Sequence, residues 1–301
     1  MLVRSPVIPR QTANNIVAPE FPCPACGRSR QHEFLWQKNN YNVYRCKTCG
    51  VGRVDAQDFR AEDFYNAGYF LGECADGYVD YKGSEPVIRR DFRKTVRFIR
   101  KLGPERGTLL EIGCAYGFFL QEAKAYYHVL GVEMSRDAVN HCHETGLHDV
   151  YCGADFQDFV RAHGPIDVVV MLDVIEHLAD VEGTLRLLSE QIRVGGLLLV
   201  TTGDWNSLVA RLTGPSWRLM SPPGHLWYFT RETLEALLQK MGFALINASH
   251  PWKFVPLDLI LRQGAAMLGL KTPPRVPLLL KPLGLPANLF DAMRLAFRKT
   301  K

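Results

Sequence analysis

A chain of 301 residues, 47% hydrophobic and 22% charged, has the composition of a globular protein, with room for one large domain or a domain plus a small module. No apolar run reaches the roughly 18–20 residues that span a bilayer, and the N-terminus MLVRSPVIPRQTANN lacks the apolar core of a signal peptide, so a cytoplasmic protein is expected. The net charge of +5 favours anionic partners only weakly, and eight cysteines without an export signal suggest reduced thiols or metal ligands rather than disulfides.

Residues 1–20 read as a flexible N-terminus. A module at 21–53 follows, carrying Cys23-Pro-Ala-Cys26-Gly27 and Cys46-Lys-Thr-Cys49-Gly50, with nineteen residues between the pairs. That is zinc-ribbon spacing. Four thiolates close a tetrahedral shell and leave no open position, so Cys23, Cys26, Cys46 and Cys49 predict a structural Zn2+ site. Iron in a rubredoxin-like shell would use similar turns. The strand-like runs around Lys38-Asn39-Asn40 predict a hairpin. The module holds six Lys/Arg and one acid, and displays Phe34, Trp36, Tyr41 and Tyr44. These residues suit RNA contact or packing against the rest of the chain; packing is the preferred reading.

Residues 54–105 form an aromatic connector and a helix that cap the core. Tyr69, Phe70, Tyr78 and Tyr81 either cover a cofactor or substrate or pack under the ribbon. The helix begins at Pro86 with Phe92, Val96 and Ile99 on one face and basic residues around the others. Strands then alternate with helices: strand 108–112, helix 116–126, strand 129–133, a helix capped by Ser135, a strand near 149–152, a short helix from 156, and the β-branched strand 166–172. A helix at 181–193, the strand LLLVTT, a helix capped by Thr230 and a strand near 243–248 complete the pattern. This order predicts an α/β fold: a doubly wound, mostly parallel seven-stranded Rossmann-like sheet over 106–301. The apolar, proline-rich segment 251–285, with Leu257, Ile260, Leu261 and Met267 beside Lys271, Arg275 and Lys281, reads either as a membrane-surface element or as a cover over the substrate side of the sheet.

The chemistry concentrates at the strand ends, where ligands of open parallel sheets bind. The first strand ends in Glu111 and a turn, Gly113-Cys-Ala-Tyr-Gly117; the second ends in Glu133, an acid able to accept both ribose hydroxyls. The spacing is not Gly-x-Gly-x-x-Gly, and Glu111 suits a ligand bearing positive charge better than a pyrophosphate. On these residues the chain resembles the class I S-adenosylmethionine-dependent methyltransferases, with Ala115 departing from the middle glycine of their first motif. The resemblance implies S-adenosyl-L-methionine as cofactor. It places Gly113 and Gly117 at the methionine and ribose side, Glu133 at the ribose, Asp155 at the adenine amine and Phe156 beside the ring. Asp155 also reads as the N-cap of the next helix. A final antiparallel strand near 289–298, beside the strand at 243–248, belongs to the same resemblance.

After the fourth strand, Asp173-Val-Ile-Glu176-His177-Leu is similar to the acid-x-x-Glu-His sequence of the small-molecule branch, which includes ubiquinone-biosynthesis O-methyltransferases and many sugar methyltransferases. In the quinone enzymes such a cluster is a divalent-metal candidate. The Asn/Asp-Pro-Pro-aromatic sequence that grips base amines is absent, which argues against nucleic acid. A hydroxyl nucleophile needs a base, and His177 and His225 are the candidates. Asp173 would touch the methionine amine or support that base. The layout of ribbon, connector with Gly77-Tyr78-x-Asp80-Tyr81, core and HLWYFT resembles bacterial methyltransferases of polysaccharides and modified sugars, implying a sugar, glycan or other small hydroxylated acceptor. An RNA methyltransferase docking through the ribbon and a non-catalytic cofactor-binding protein remain the alternatives.

Overall fold

The computed structural model describes residues 18–56, 59, 60, 64, 81–256, 261 and 284–301. The core sheet has seven strands: β5 (Gly107–Ile112), β6 (Tyr127–Glu133), β7 (Val150–Cys152), β8 (Ile166–Leu172), β9 (Ile192–Gly203), β11 (Phe243–Ser249) and β14 (Ala292–Lys299). Their order is β11-β14-β9-β8-β5-β6-β7. The pairs β5–β6, β5–β8, β6–β7 and β8–β9 are parallel, while β14 runs antiparallel to both β9 and β11. The expected mostly parallel Rossmann-like sheet is present, and its last strand is wedged between β9 and β11.

Strand alternation sorts the core into two layers. Leu109, Val168, Val170, Leu197 and Leu199 meet α1 (Glu85–Leu102), α2 (Phe118–Ala123) and α3 (Arg136–Glu144) through Val96, Ile99, Phe119, Leu120 and Val139. Their neighbours Leu110, Val169, Met171, Leu198 and Val200 face the other way. They meet α4 (Gln157–His163), α5 (Val181–Gln191) and α7 (Arg231–Lys240) through Val160, Leu185, Leu188, Leu234 and Leu238. Burial on both faces explains the near-continuous apolar runs of these strands. Side-chain caps set the helix starts: Ser135 accepts from Ala138 N, Asp180 from Gly183 N, and Thr230 forms a reciprocal capping box with Thr233.

The N-terminal module is a sheet of β1 (Glu20–Cys23), β2 (Arg28–Lys38), β3 (Tyr41–Cys46) and β4 (Gly52–Asp55). A fifth strand, β10 (Trp227–Tyr228), comes from the loop region after β9, with Arg53 opposite Trp227 and Gly52 opposite Tyr228. The module therefore shares a ladder with the core. Trp36 stacks on Trp205, Tyr41 packs in the same cluster, and only Phe34 of the four ribbon aromatics is mostly exposed, at 56%. This supports packing over RNA contact. A short α6 (Leu208–Thr213) and the hairpin β12 (Lys253–Pro256) with β13 (Gly284–Ala287) are elements that periodicity did not predict. The apolar part of the 251–285 segment and Tyr69, Phe70 and Tyr78 lie outside the described residues. Tyr81 stacks on Phe118 at 5.4 Å, against the first helix after the glycine turn.

Candidate active site

A cavity of about 1880 Å3 lies along the carboxyl ends of the strands and is lined at one end by Gly113–Ala115, Glu133 and Phe156, at the other by Asp173, His177 and His225. One small ligand usually fills roughly 300–1,000 Å3; the cavity is larger because it also extends along α1 and α5, past Arg97, Lys101 and Glu190.

The donor half is built from the β5–α2 turn and the end of β6. Gly113 and Gly117 have φ of 73° and 74°. A Cβ on Gly113 would stand 2.6 Å from Val174 Cγ2, and one on Gly117 2.5 Å from Leu147 Cδ1, so both conformation and space demand glycine. Ala115 takes the middle glycine's place and its conformation too, with φ of 47°. That left-handed geometry is strained for a residue with a Cβ. It is held from both sides: Ala115 N donates to Glu133 Oε2 at 2.8 Å, and Cys142 Sγ donates to Ala115 O at 3.4 Å.

Glu133 also accepts from Met134 N and Ser135 N on its other oxygen, each at 2.8 Å. Burial nevertheless raises its carboxyl above the usual range, outweighing those three backbone donors. The acid thus buttresses the turn and lines the cavity with about one acceptor site still open. Glu111 is 3% exposed and its Oε2 has no hydrogen-bond partner among the described residues. Burial, then the neighbouring Cys142 and Glu133, push its carboxyl well up. An orphaned acid beneath the turn fits a ligand that brings a cationic amine. Phe156 is buried and lines the cavity. Asp155 does not cap the next helix, whose cap falls at Phe156 with no side-chain bond; its side chain is exposed beside Phe156.

The acceptor half is assembled across the chain. Asp173 follows β8 with φ of 57°. Its N–H donates to Thr201 Oγ1, Thr201 Oγ1 donates to Asp173 Oδ1 at 2.8 Å, and Lys253 Nζ pairs with Oδ2 at 2.7 Å. Burial lifts the Asp173 carboxyl, but Lys253 and Thr201 prevail and hold it below its ordinary value. Arg218 grips Asp291 with two hydrogen bonds, at 2.9 and 2.7 Å.

Beside them, the His177 and His225 rings meet edge to face at 4.7 Å. His177 Nδ1 donates to Gly224 O at 2.8 Å. Burial lowers the pKa of both rings, His225 to about 3, with a further lowering there from His177. Both are neutral at neutral pH. Burial and the charge of Asp173 push Glu176 up to about 8, and its Oε2 is unpartnered among the described residues. Glu176, His177 and His225 each offer a ligand atom, all within 4.8 Å of one another. The metal-capable trio therefore contains His225 where the sequence pointed to Asp173. Thr201, Arg218, Lys253 and Asp291 carry no motif; only the strand ladder and the loop packing bring them here.

The cysteine cluster sits at the other end of one hydrogen-bonded path. Cys23 Sγ and Cys49 Sγ are 3.4 Å apart, Cys26 Sγ and Cys46 Sγ 3.9 Å. Tetrahedral Zn–S bonds of about 2.3 Å give edges near 3.8 Å, so the four sulfurs fit that shell. Contact with Cys23, then burial, drives the Cys49 thiol up; a bound cation would supply the missing countercharge. From this knuckle, Cys46 N donates to Val51 O, Val54 N to Leu226 O, and Leu226 N to Glu176 O. Trp227 Nε1 reaches Leu178 O at 2.8 Å. The ribbon thus clamps the loop that carries His225.

Comparison with known proteins agrees with this geometry. The family described as "Methyltransferase domain" matches residues 87–248, more than half of the chain. Ubiquinone biosynthesis O-methyltransferase of Azorhizobium caulinodans is 29% identical over 170 residues, covering 53% of this chain and 66% of that protein. Its counterpart in Caulobacter vibrioides is 32% identical over 143 residues, covering 44% and 57%. The chain thus spans less than two thirds of the length of these relatives. Among solved structures, magnesium protoporphyrin IX methyltransferase from Synechocystis with bound SAH has the same fold, at a TM-score of 0.50 and 15% identity, covering 80% of this chain and 98% of that one.

Proposed function

We propose that this chain, which belongs to the methyltransferase-domain family, transfers a methyl group from S-adenosylmethionine to a hydroxyl of a small acceptor. The observation that carries the reading is the single cavity joining the Gly113–Glu133 turn to the His177–His225 pair. When bound, S-adenosylmethionine supplies an electrophilic methyl on a sulfonium. Glu133 and the strained turn would hold the ribose, Phe156 the adenine, and Glu111 the amine. The neutral imidazoles would take the hydroxyl proton as attack proceeds, and Asp173, fixed by Lys253 and Thr201, would orient the acceptor side. Attack of an alkoxide-like oxygen on a sulfonium annihilates charge, so the buried setting helps. The named function of the relatives supports O-methylation; a sugar or glycan, and with it polysaccharide biosynthesis, is the finer proposal, resting on the resemblance of the whole layout. The ribbon would hold structural Zn2+.

The test is transfer of labelled methyl from S-adenosylmethionine into a cell extract, with identification of the product. Labelled RNA, or no labelled product, would overturn the reading. A second reading rests on the Glu176–His177–His225 trio: a divalent cation there would activate the hydroxyl in place of a histidine base. Zinc-loaded protein freed of other divalent ions separates the two. Turnover unaffected by added Mg2+ or Mn2+ supports the base, and dependence on either supports the metal.

A further inference from the structure

Several cations along the cavity are neutralised from within. Lys253 pairs with Asp173, Arg218 with Asp291, and Lys94 with Asp91 at 3.0 Å. Arg294 is not neutralised, and neither are Arg97, Arg100 and Lys101 of α1 among the described residues; Arg294 is the one of these four on the sheet itself. It lines the cavity from β14 yet has no acidic partner among the described residues. Its Nε donates to Ser249 Oγ at 3.3 Å, and its guanidinium lies 3.6 Å from the centre of the Phe98 ring. Burial lowers its pKa. A partly buried, uncompensated guanidinium is costly. The ring and the hydroxyl support the side chain where it borders the cavity.

The ladder fixes where that charge sits. Arg294 stands opposite Ser249 on one side and Thr201 on the other. Directly opposed residues of antiparallel strands share a face. Ser249, Arg294 and Thr201 therefore form one row across the carboxyl end of the sheet, on the α1 side. Thr201 is the residue that holds Asp173. With strands about 4.8 Å apart, Arg294 lies one strand from Thr201 and two from the end of β8, on the order of 10 Å from the reacting centre.

We propose that Arg294 binds an oxyanion of the acceptor, a carboxylate or phosphate roughly 5–10 Å from the hydroxyl that is methylated. The planar fork suits either group in bidentate fashion. This rests on the methyl-transfer reading for its meaning, since it names the acceptor's class, but the binding itself can be measured without turnover.

The experiment uses the full chain with its ribbon metal loaded. Melting is followed in sodium phosphate, sodium acetate and sodium chloride at matched ionic strength. Saturable stabilisation by phosphate, acetate or both is expected for the native protein, and the effective anion names the oxyanion. Arg294→Met should weaken that response at least about tenfold, and Arg294→Lys, which keeps charge but loses the fork, less so. Arg231→Ala, on α7 away from the cavity, should leave it unchanged. S-adenosylhomocysteine affinity equal to native would show that the variants are folded. Equal anion responses in native protein and Arg294→Met would overturn the proposal. So would a labelled methylation product from cell extract that is neutral on anion exchange, even with the transfer reading intact. Arg294-dependent anion binding without any labelled product would instead sink the transfer reading and leave the anion site standing.

Discussion

The groups named in the donor half of the cavity lie between Glu111 and Phe156, in successive strand ends of one β-α-β-α-β run. The acceptor half draws on Asp173–His177, Arg218, His225, Lys253 and Arg294, brought together by a loop, a hairpin and an inserted strand. The first half is held by its own backbone, with Glu133 accepting three N–H groups of the turn it closes. The second is held from outside, by β4 of the ribbon pairing with β10. A nucleoside site that folds locally can serve many acceptors, whereas an acceptor site assembled from distant segments can be altered without touching the donor.

That contrast can be broken most forcefully at the metal. Removing it, or Cys46→Ser, should unclamp the loop of residues 222–230 and cut turnover at least ~100-fold, because a module this small does not hold its shape without its ion. Affinity for S-adenosylhomocysteine should stay within about threefold, since the Glu133 and Ala115 hydrogen bonds that hold the turn involve no ribbon residue among the described residues. If calorimetry shows that affinity falling in parallel, the two halves are one unit and the contrast is wrong.

Next in size are the histidines. His177→Ala and His225→Ala should each lower kcat by roughly 10²–10³, at the lower end of what a positioned base contributes. Cofactor affinity should again be unchanged. His225→Ala alone losing activity would assign the base to His225. Equal turnover in both variants and the native protein would remove histidine from the chemistry.

Glu133→Ala should act on the other half, weakening S-adenosylhomocysteine by about 10–100-fold through loss of a charge-assisted acceptor and of the turn's buttress. Glu133→Gln keeps one acceptor oxygen and should lose less. An unchanged dissociation constant in Glu133→Ala would mean that the ribose is held elsewhere.

The two halves also differ in how far the sequence discloses them. The turn at Gly113–Gly117 and the acid at Glu133 are legible because a tight backbone approach restricts residue type at fixed local spacing. The four cysteines are legible for the same reason, since two knuckles must each present two sulfurs. Alternation of Leu109 and Leu110, or Val168 and Val169, between opposite layers made the sheet readable as well. Lys253, Thr201 and Arg218 were not readable, because their partners lie at |i−j| of 80, 28 and 73. No periodicity encodes such pairings. The β4–β10 ladder was hidden likewise: a two-residue strand has no pattern of its own. As an N-cap, Asp155 shows the converse error: the residue type suits a cap, but the cap falls one residue later, at Phe156.

The smallest expected effect concerns Glu176, whose backbone carbonyl receives Leu226 from the clamped loop and whose side chain is buried beside Asp173. Its carboxyl is raised from 4.5 to about 8, so the folded protein keeps a proton that the unfolded chain has released across this window. Stability should therefore be fullest below pH ~4.5 and decline as pH rises toward about 8. Asp173, whose pKa is lowered, acts in the opposite sense only at acid pH, where protonation would cost its pairing with Lys253. Glu176→Gln cannot ionise and should flatten the neutral-to-alkaline slope. Its melting temperature should match the native protein near pH 5 and exceed it by about 2–8 °C at pH 8.5. A variant that loses stability equally at both pH values would place the carboxylate, not the carboxylic acid, in the folded acceptor half. The most economical account would then be a cation held by the Glu176–His177–His225 trio.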